Sequence, residues 1–333
     1  MLRRVLAAGA LVAAGCGGPT MPSSTTALRL VCPASLSVQS ADGEGVVVTF
    51  APSAIPGVPP VSATCAPSSG STFSVGTTAV ACTATDAQQQ KASCAFSVAV
   101  AAPPRLAATK FVAFGDSITR GVSAACVRSA TGVIRWLSPA EDLRHLEVRP
   151  AIAYPTRLQV RLDGRYTAQT PTVANEGLPG ESVISSSARS RLMAVLDSQA
   201  PDVLLLQEGV NDLHGYGAAG IPLVADSLRL MVREGTARGL HVFLGTLLPE
   251  REGGCRAGQP GLIAPANDLI RAVAAEEGVA LVDLHAAFAG DTGTLLGEDG
   301  LHPSEAGYEK IAETFFNEIR ARLETSLTLS RFR

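Results

Sequence analysis

The sequence predicts a three-layer α/β domain on a parallel sheet, preceded by a small all-β sandwich. Three observations carry this. From Thr109 onward, short apolar runs alternate with stretches of helical period, the pattern of strands joined by crossover helices. Between residues 30 and 101, strand-like runs are separated by Gly, Pro and Ser turns with no helical period between them, the pattern of a small sandwich. Four of the seven cysteines also fall in that first segment, where a domain of roughly seventy residues has a marginal core that cross-links support.

The chain has 333 residues, a formal net charge of −3 and only 17% charged residues. It carries no basic tract and no aromatic-basic stripe, which excludes nucleic acid as the expected partner. At the start, Met1-Leu2-Arg3-Arg4 precedes an apolar run from Val5 to Ala14, then Gly15-Cys16. Two arginines, a short hydrophobic stretch and small residues read as an export signal over 1–16. The run is too short to span a bilayer. Ala13-Ala14-Gly15-Cys16 resembles a bacterial lipobox, which implies lipidation of Cys16 and a membrane anchor. Ala13 departs from that motif, where a larger aliphatic residue is preferred, and ordinary cleavage near Ala14 is the alternative. Residues 17–29 are rich in Gly, Pro, Ser and Thr and read as a flexible tether.

In the first domain, expected over 30–101, the strand-like runs are Val46–Phe50, Val61–Thr64, Ala79–Thr83 and Ala95–Val100. A linker follows over 102–108. The α/β domain is expected over 109–325, with a tail over 326–333. Its first strand is Lys110–Phe114; a long loop near 120–150 then holds the only tryptophan, Trp136. A helix near 151–162 follows. Strands are expected near 171–175, 202–207, 241–246 and 279–283, separated by helices near 183–198, 221–238 and 261–277. The last helix is expected to begin at Pro303, since proline suits a first helical position. Along it, Tyr308, Ile311, Ala312, Phe315, Ile319 and Leu323 recur at helical spacing and should pack on the sheet.

The chemistry concentrates after the strands. Gly115-Asp116-Ser117-Ile118-Thr119 leaves the first one, and a serine on such a turn is presented at the sheet rim. Asn175-Glu176-Gly177-Leu178-Pro179-Gly180 and Gly209-Val210-Asn211-Asp212 follow two others, and Asp299-Gly300-Leu301-His302-Pro303-Ser304 precedes the last helix. A serine hydroxyl needs a base, a base needs an orienting partner, and a tetrahedral intermediate needs donors for its oxyanion. His302 is the candidate base, and Asp299, three residues earlier, can orient it. Each block also has a plainer reading. Ser117 could cap a helix, Gly177 and Gly180 could be turn glycines, Asn211-Asp212 an Asx-turn, and His302-Pro303 a helix-entry turn. Asp116 and Asp212 read as structural neighbours of the functional positions. His145, His214, His241 and His285 match no motif, and no His/Cys/Glu spacing suggests a metal site.

Taken jointly, the four blocks resemble the SGNH, or GDSL, hydrolases, carrying that family's Ser, Gly, Asn and His in order. The resemblance implies a flavodoxin-like three-layer fold and hydrolysis of carboxylic esters without a cofactor. It assigns catalysis to Ser117, His302 and Asp299, and the oxyanion hole to the Ser117 and Gly180 backbone N–H groups and the Asn211 amide. The first domain resembles the HYR (hyalin repeat) module, an immunoglobulin-like fold. Cys32-Pro33, Gly70-Ser71-Thr72-Phe73, Val75-Gly76-Thr77-Thr78, Thr83-Ala84-Thr85-Asp86 and Cys94-Ala95-Phe96 carry the likeness. The module's usual Asp-x-x-Gly-Asn reads Asp86-Ala87-Gln88-Gln89-Gln90 here, so that turn differs. Such modules are linked to adhesion or spacing, and no ligand follows from these residues.

Within this module the expected bridges are Cys32–Cys94 and Cys65–Cys82. Cys126 and Cys255 both fall in loops after strands, on the rim a parallel sheet would share, and a third bridge is expected there; two free thiols are the alternative. The combined expectation is an exported serine esterase, anchored to a bacterial envelope by lipid or secreted, acting on a small-molecule or carbohydrate ester. Short acyl groups such as acetyl on carbohydrate are favoured because no long apolar lid is evident, although Val133-Ile134-Arg135-Trp136-Leu137 could cover an acyl chain. The alternatives are a lysophospholipase or lipase, and a non-catalytic surface adhesion protein.

Overall fold

Five parallel strands form the sheet that carries the candidate site. They are β1 (Lys110–Gly115), β2 (Thr172–Gly177), β3 (Val203–Gln207), β4 (His241–Gly245) and β5 (Ala280–Val282). Their order is β2-β1-β3-β4-β5, the flavodoxin-like order with its topological switch between β1 and β3. The computed structural model describes residues 27–55, 57–126 and 146–325. The export segment with Cys16, most of the 17–29 tether, the Trp136 cluster, His145 and the 326–333 tail lie outside the described residues. The chain divides into two compact units, one holding Gly45–Val100 and the residues up to Val38, the other Gln39–Glu44 and Ala101 onward.

In the second unit the helices in chain order are α1 (Ser117–Arg120), α2 (Tyr154–Arg165), α3 (Ser186–Gln199), α4 (Val210–Tyr216), α5 (Gly220–Ala237), α6 (Pro260–Glu276), α7 (Leu284–Phe288), α8 (Thr292–Leu295) and α9 (Glu305–Leu323). β3 is buried along its whole length, as expected of a central strand covered on both faces. The chain moves from β1 out to β2, then back across to β3, β4 and β5. Right-handed crossovers therefore put α2 on one face and α3, α5 and α6 on the other. α9 packs against α2 and α5 against α6. The helical stripe along α9 is buried as its spacing requires, and Phe315 stacks on Tyr154 with centroids 5.1 Å apart.

Boundaries shift where caps decide them. α9 begins at Glu305 and not at Pro303, because the Ser304 hydroxyl accepts the Gly307 N–H at 3.1 Å and acts as the N-cap. Pro303 instead forms an isolated bridge with Leu296. α2 runs 154–165, three residues later than its periodicity suggested, with proline in its first turn. Part of the expected linker belongs to the fold: Arg105–Leu106 pairs with Glu324–Thr325, and Leu106 and Ala108 are buried.

Among its described residues the first unit is all-β. A four-stranded sheet orders Leu36–Gln39, Lys91–Ala101, Gly76–Thr85 and Ser62–Ala66, and two short pairs join Arg29–Val31 with Ser53–Ile55 and Val46–Val47 with Thr72–Phe73. The long hairpin alternates, so Val80, Cys82 and Ala84 face a core that includes Phe73, Phe96, Val98 and Val100. Disulfides join Cys32 to Cys94 and Cys65 to Cys82 in this unit, and Cys126 to Cys255 in the other. Cys82 stands opposite both Cys65 and Cys94 in the strand register. The divergent turn is organised by Asp86, whose carboxylate accepts the N–H groups of Val58, Gln88 and Gln90 at 2.9–3.2 Å. Gln89, where the module usually has glycine, is held at φ +63°.

A non-glycine residue in the left-handed region is strained. Gln89→Gly is therefore expected to raise stability by about 1 kcal/mol, read as a higher urea midpoint for the first unit's transition; an unchanged or lower midpoint would contradict it. Thiol titration of the denatured, unreduced chain should find Cys32, Cys65, Cys82, Cys94, Cys126 and Cys255 unreactive, and two reactive thiols would break the third bridge.

Candidate active site

β1 delivers Ser117. The strand ends at Gly115, and Asp116 caps the short α1 by accepting the Ile118 N–H on Oδ1 at 2.8 Å. The cap is thus Asp116, and Ser117 is the first helical residue, its side chain free for another partner. That partner is His302, whose Nε2 lies 2.9 Å from Ser117 Oγ. His302 Nδ1 lies 2.6 Å from Asp299 Oδ2. The other carboxylate oxygen, Oδ1, accepts the N–H groups of Leu301 and His302 at 3.1 and 3.0 Å. With Nδ1 carrying the proton, Asp299 accepts from it and Nε2 is left to accept from serine. Asp299 and His302 are buried, which strengthens the charge-assisted bond between them.

The turn bearing this pair is held from the segment after β4. Arg251 N donates to Gly300 O at 2.8 Å, Arg256 N to Asp299 O at 2.9 Å, and Arg251 Nη2 to Gly297 O at 2.5 Å. Cys255, in the same segment, is tied to Cys126. His214 on α4 pairs through Nε2 with Glu250, whose second oxygen accepts the Gln259 N–H at 3.1 Å. Among the described residues the segment therefore buttresses the Asp299–His302 turn.

β2 and the loop after it bring Gly180. Asn175, inside β2, donates from Nδ2 to Thr119 O and accepts the Gly177 N–H, each at 3.0 Å. A Cβ on Gly177 would stand 2.2 Å from Arg120 N and 2.8 Å from Asp116 O, so only glycine lets the end of β2 pass the nucleophile turn. Gly180 sits at φ +78° with open space where a side chain would be, and among the described residues its N–H has no acceptor. Asn211 lies in the first turn of α4, and its Nδ2 donates one hydrogen to Glu181 O at 2.9 Å. An amide nitrogen has a second, which remains for another acceptor. The adjoining Asp212 is buried and accepts from Ser182 Oγ, from Val183 N at 2.9 Å and from Ile184 N at 3.2 Å. It pins the loop just past Gly180, and Ser185, whose hydroxyl accepts the Ser187 N–H at 3.3 Å, then caps α3.

Ser117, Gly180 and Asn211 thus follow three neighbouring strands, β1, β2 and β3, at their carboxyl ends, beside the switch point where open α/β sheets place their ligands. The arrangement joins a serine hydroxyl, an imidazole and a carboxylate in one hydrogen-bonded chain, on the rim that also carries the Gly180 N–H and the Asn211 amide. Three charged residues here had not been singled out in the sequence: Glu181, Arg191 and Glu208. The one signal for them was an acid directly after Gly180 with an arginine ten positions on. Burial pushes the Asp116 carboxyl up to about 6, the His302 side opposing and Glu181 and Asp212 adding to it. Burial, then the nearby Asp116 and Glu181 carboxyls, push Glu208 well above the usual carboxylate range.

Comparison with known proteins adds the following. The model of the GDSL-like lipase/acylhydrolase family matches residues 113–310, and the HYR domain model matches residues 29–100. A multidomain esterase of Ruminococcus flavefaciens is 32% identical over 130 residues, 38% of this chain and 16% of that protein's length. Esterase TesA of Pseudomonas aeruginosa is 28% identical over 153 residues, 45% of this chain and 71% of that protein. Among solved structures, a lipase/acylhydrolase from Enterococcus faecalis superposes with a TM-score of 0.48 at 24% identity, covering 65% of this chain and 97% of its own. An acetyl xylan esterase from Geobacillus stearothermophilus gives 0.47 at 22% identity, covering 63% and 94%.

The Asp116 carboxyl carries a prediction. Its folded pKa of about 6 lies above its ordinary 3.8, so the cost of ionising it in the fold is absent below about pH 4 and complete above about pH 6. Asp116→Asn keeps a cap acceptor for Ile118 and removes that cost. Its thermal midpoint should match wild type near pH 4 and exceed it near pH 7; equal midpoints at both would refute this.

Proposed function

We propose that this chain, which belongs to the GDSL-like lipase/acylhydrolase family, is an exported serine esterase that hydrolyses carboxylic esters through Ser117, His302 and Asp299. The observation that carries the reading is the continuous relay from Ser117 Oγ to His302 at 2.9 Å and from His302 to Asp299 at 2.6 Å. Ser117 Oγ attacks the ester carbonyl while His302 Nε2 takes its proton. The resulting oxyanion is received by the Ser117 and Gly180 N–H groups and the second Asn211 amide hydrogen, and Asp299 stabilises the imidazolium. Collapse breaks the ester bond, and His302 returns the proton to the departing alcohol. Water, deprotonated by His302, then attacks the acyl-enzyme and releases the carboxylic acid and free Ser117.

The substrate we assign is a short acyl ester, such as acetyl on carbohydrate. Ser117 meets the buried Asp299–His302 turn directly, and the strands that lead to Gly180 and Asn211 flank its own. Export is supported by three disulfides, which persist in oxidising compartments, and by the signal-like residues 1–16. Anchoring through a lipidated Cys16 belongs to the same proposal, as does contact of the HYR unit with a surface ligand. No helix among the described residues is long and apolar enough to cross a membrane. Family membership makes the chain a hydrolase, against the adhesion-only alternative.

A series of p-nitrophenyl esters from acetyl to palmitoyl tests both halves. Turnover should be greatest on acetyl to butyryl esters, and Ser117→Ala should lower kcat by about 10⁴-fold or more. A maximum at palmitoyl would turn the assignment to a lipase, and undiminished turnover by Ser117→Ala would remove the serine mechanism.

A further inference from the structure

Beneath the rim that carries Ser117 lies a part-buried ionic group that no step of the proposed hydrolysis uses. Arg191, on α3, reaches toward the ends of β1 and β2. Its Nε donates to Glu181 Oε1 at 2.8 Å and its Nη2 to Glu181 Oε2. Nη1 donates to Glu176 O at 2.9 Å, Nη2 also approaches Gly115 O at 3.4 Å, and the guanidinium lies 3.8 Å over the Phe114 ring. The Arg191 side chain is 24% exposed and that of Glu181 5%.

These acceptors have a common position. Gly115 lies two residues before Ser117, Glu176 lies on the approach to Gly180, and Glu181 follows Gly180 directly. The carbonyl of Glu181 also holds the Asn211 amide at 2.9 Å. One planar guanidinium therefore touches the chain two residues before Ser117 and on both sides of Gly180, and reaches Asn211 only through Glu181, whose carbonyl holds that amide. Glu208 completes the group: it is fully buried, and its nearest charged neighbours belong to the same cluster. Asp116, Glu181 and Arg191 face it. One cation stands among three carboxyls; Glu181 is the one that pairs with Arg191, and burial raises Glu208 well above the usual carboxylate range.

We propose that Arg191, fixed by Glu181, is the positioning residue of the oxyanion hole, setting the spacing of the Ser117 turn, the Gly180 loop and the Asn211 amide. The inference rests on reading those three as oxyanion donors. A lysine keeps the charge but not the fork, and as a point charge it cannot serve acceptors on three segments at once. Donors displaced by about 1 Å cost about 10²-fold in rate, and the loss falls on the transition state more than on ground-state binding.

The test uses the full chain and p-nitrophenyl acetate, with kcat and KM measured separately for wild type, Ser117→Ala, Arg191→Lys and Glu181→Gln. Arg191→Lys is expected to unfold cooperatively and to lose about 10²-fold in kcat, with KM within about threefold of wild type. Phosphonylation of Ser117 by a p-nitrophenyl alkylphosphonate, which also develops charge toward those donors, should slow in parallel. A folded Arg191→Lys with kcat within about twofold of wild type overturns the inference. Should Arg191→Lys fail to fold, Glu181→Gln decides: a fall in kcat at constant KM supports the role, and unchanged kcat overturns it. Normal turnover by Arg191→Lys beside an inert Ser117→Ala defeats this inference alone. Full turnover by Ser117→Ala removes the oxyanion reading beneath it.

Discussion

The close approach of β2 to the nucleophile turn constrains everything else at the rim. At Gly177 a side-chain carbon would lie 2.2 Å from Arg120 N, and at Gly115 one would lie 2.4 Å from Gln207 O. Backbone replaces side chain at both places. The turn bearing Ser117 is therefore gripped from β2 and the residue after it, by main chain through Leu178 N to Gly115 O at 2.8 Å and by the Asn175 side-chain amide, whose Nδ2 donates to Thr119 O at 3.0 Å. A hydroxyl on a turn so held keeps one orientation, the condition that the proposed attack requires.

Around that contact, carboxylates organise the loops. Asp116 caps α1, Asp212 gathers the N–H groups of Val183 and Ile184, and Asp299 gathers those of Leu301 and His302. Each acts first on backbone, and only Asp299 also meets the base. Concentrating acids in a buried space raises the cost of ionising them, which appears as the upward displacement of Asp116 and Glu208. Arg191 is the compensating charge, and its planar fork lets one residue serve Glu181 and two strand-end carbonyls together.

Much of the fold was legible in the chain. Strand and helix alternation from Thr109 onward located all five strands of the sheet to within two residues at each end, since central strands of a parallel sheet are continuous apolar runs. Edges were less legible. α9 starts at Glu305 and α3 at Ser186, in each case because a serine hydroxyl, Ser304 or Ser185, caps the first turn. Among the described residues of the first unit, the short strands Arg29–Val31, Ser53–Ile55 and Thr72–Phe73 carry too few residues to show a period, and of the expected run Val46–Phe50 only Val46–Val47 is strand. At the site, Ser117, Gly180, Asn211, Asp299 and His302 could be nominated because each sits in a turn whose residue types suit a chemical task. Arg191 and Glu208 could not: they lie in ordinary helix and strand-end contexts, and their meaning comes from neighbours distant in the chain.

The sequence by itself determined the α/β class, the presence of an all-β module ahead of it, and the residue types able to perform acyl transfer, because hydrophobic period and turn chemistry are local properties. The tertiary structure decided which of those residues meet. It brought His302 to 2.9 Å of a serine 185 positions earlier, joined Cys82 to Cys65 when Cys94 was also its register neighbour, and placed one guanidinium against three separate segments. The parallel sheet is the physical reason: it aligns the carboxyl ends of strands far apart in sequence on one rim, and a contact made there has no signature along the chain.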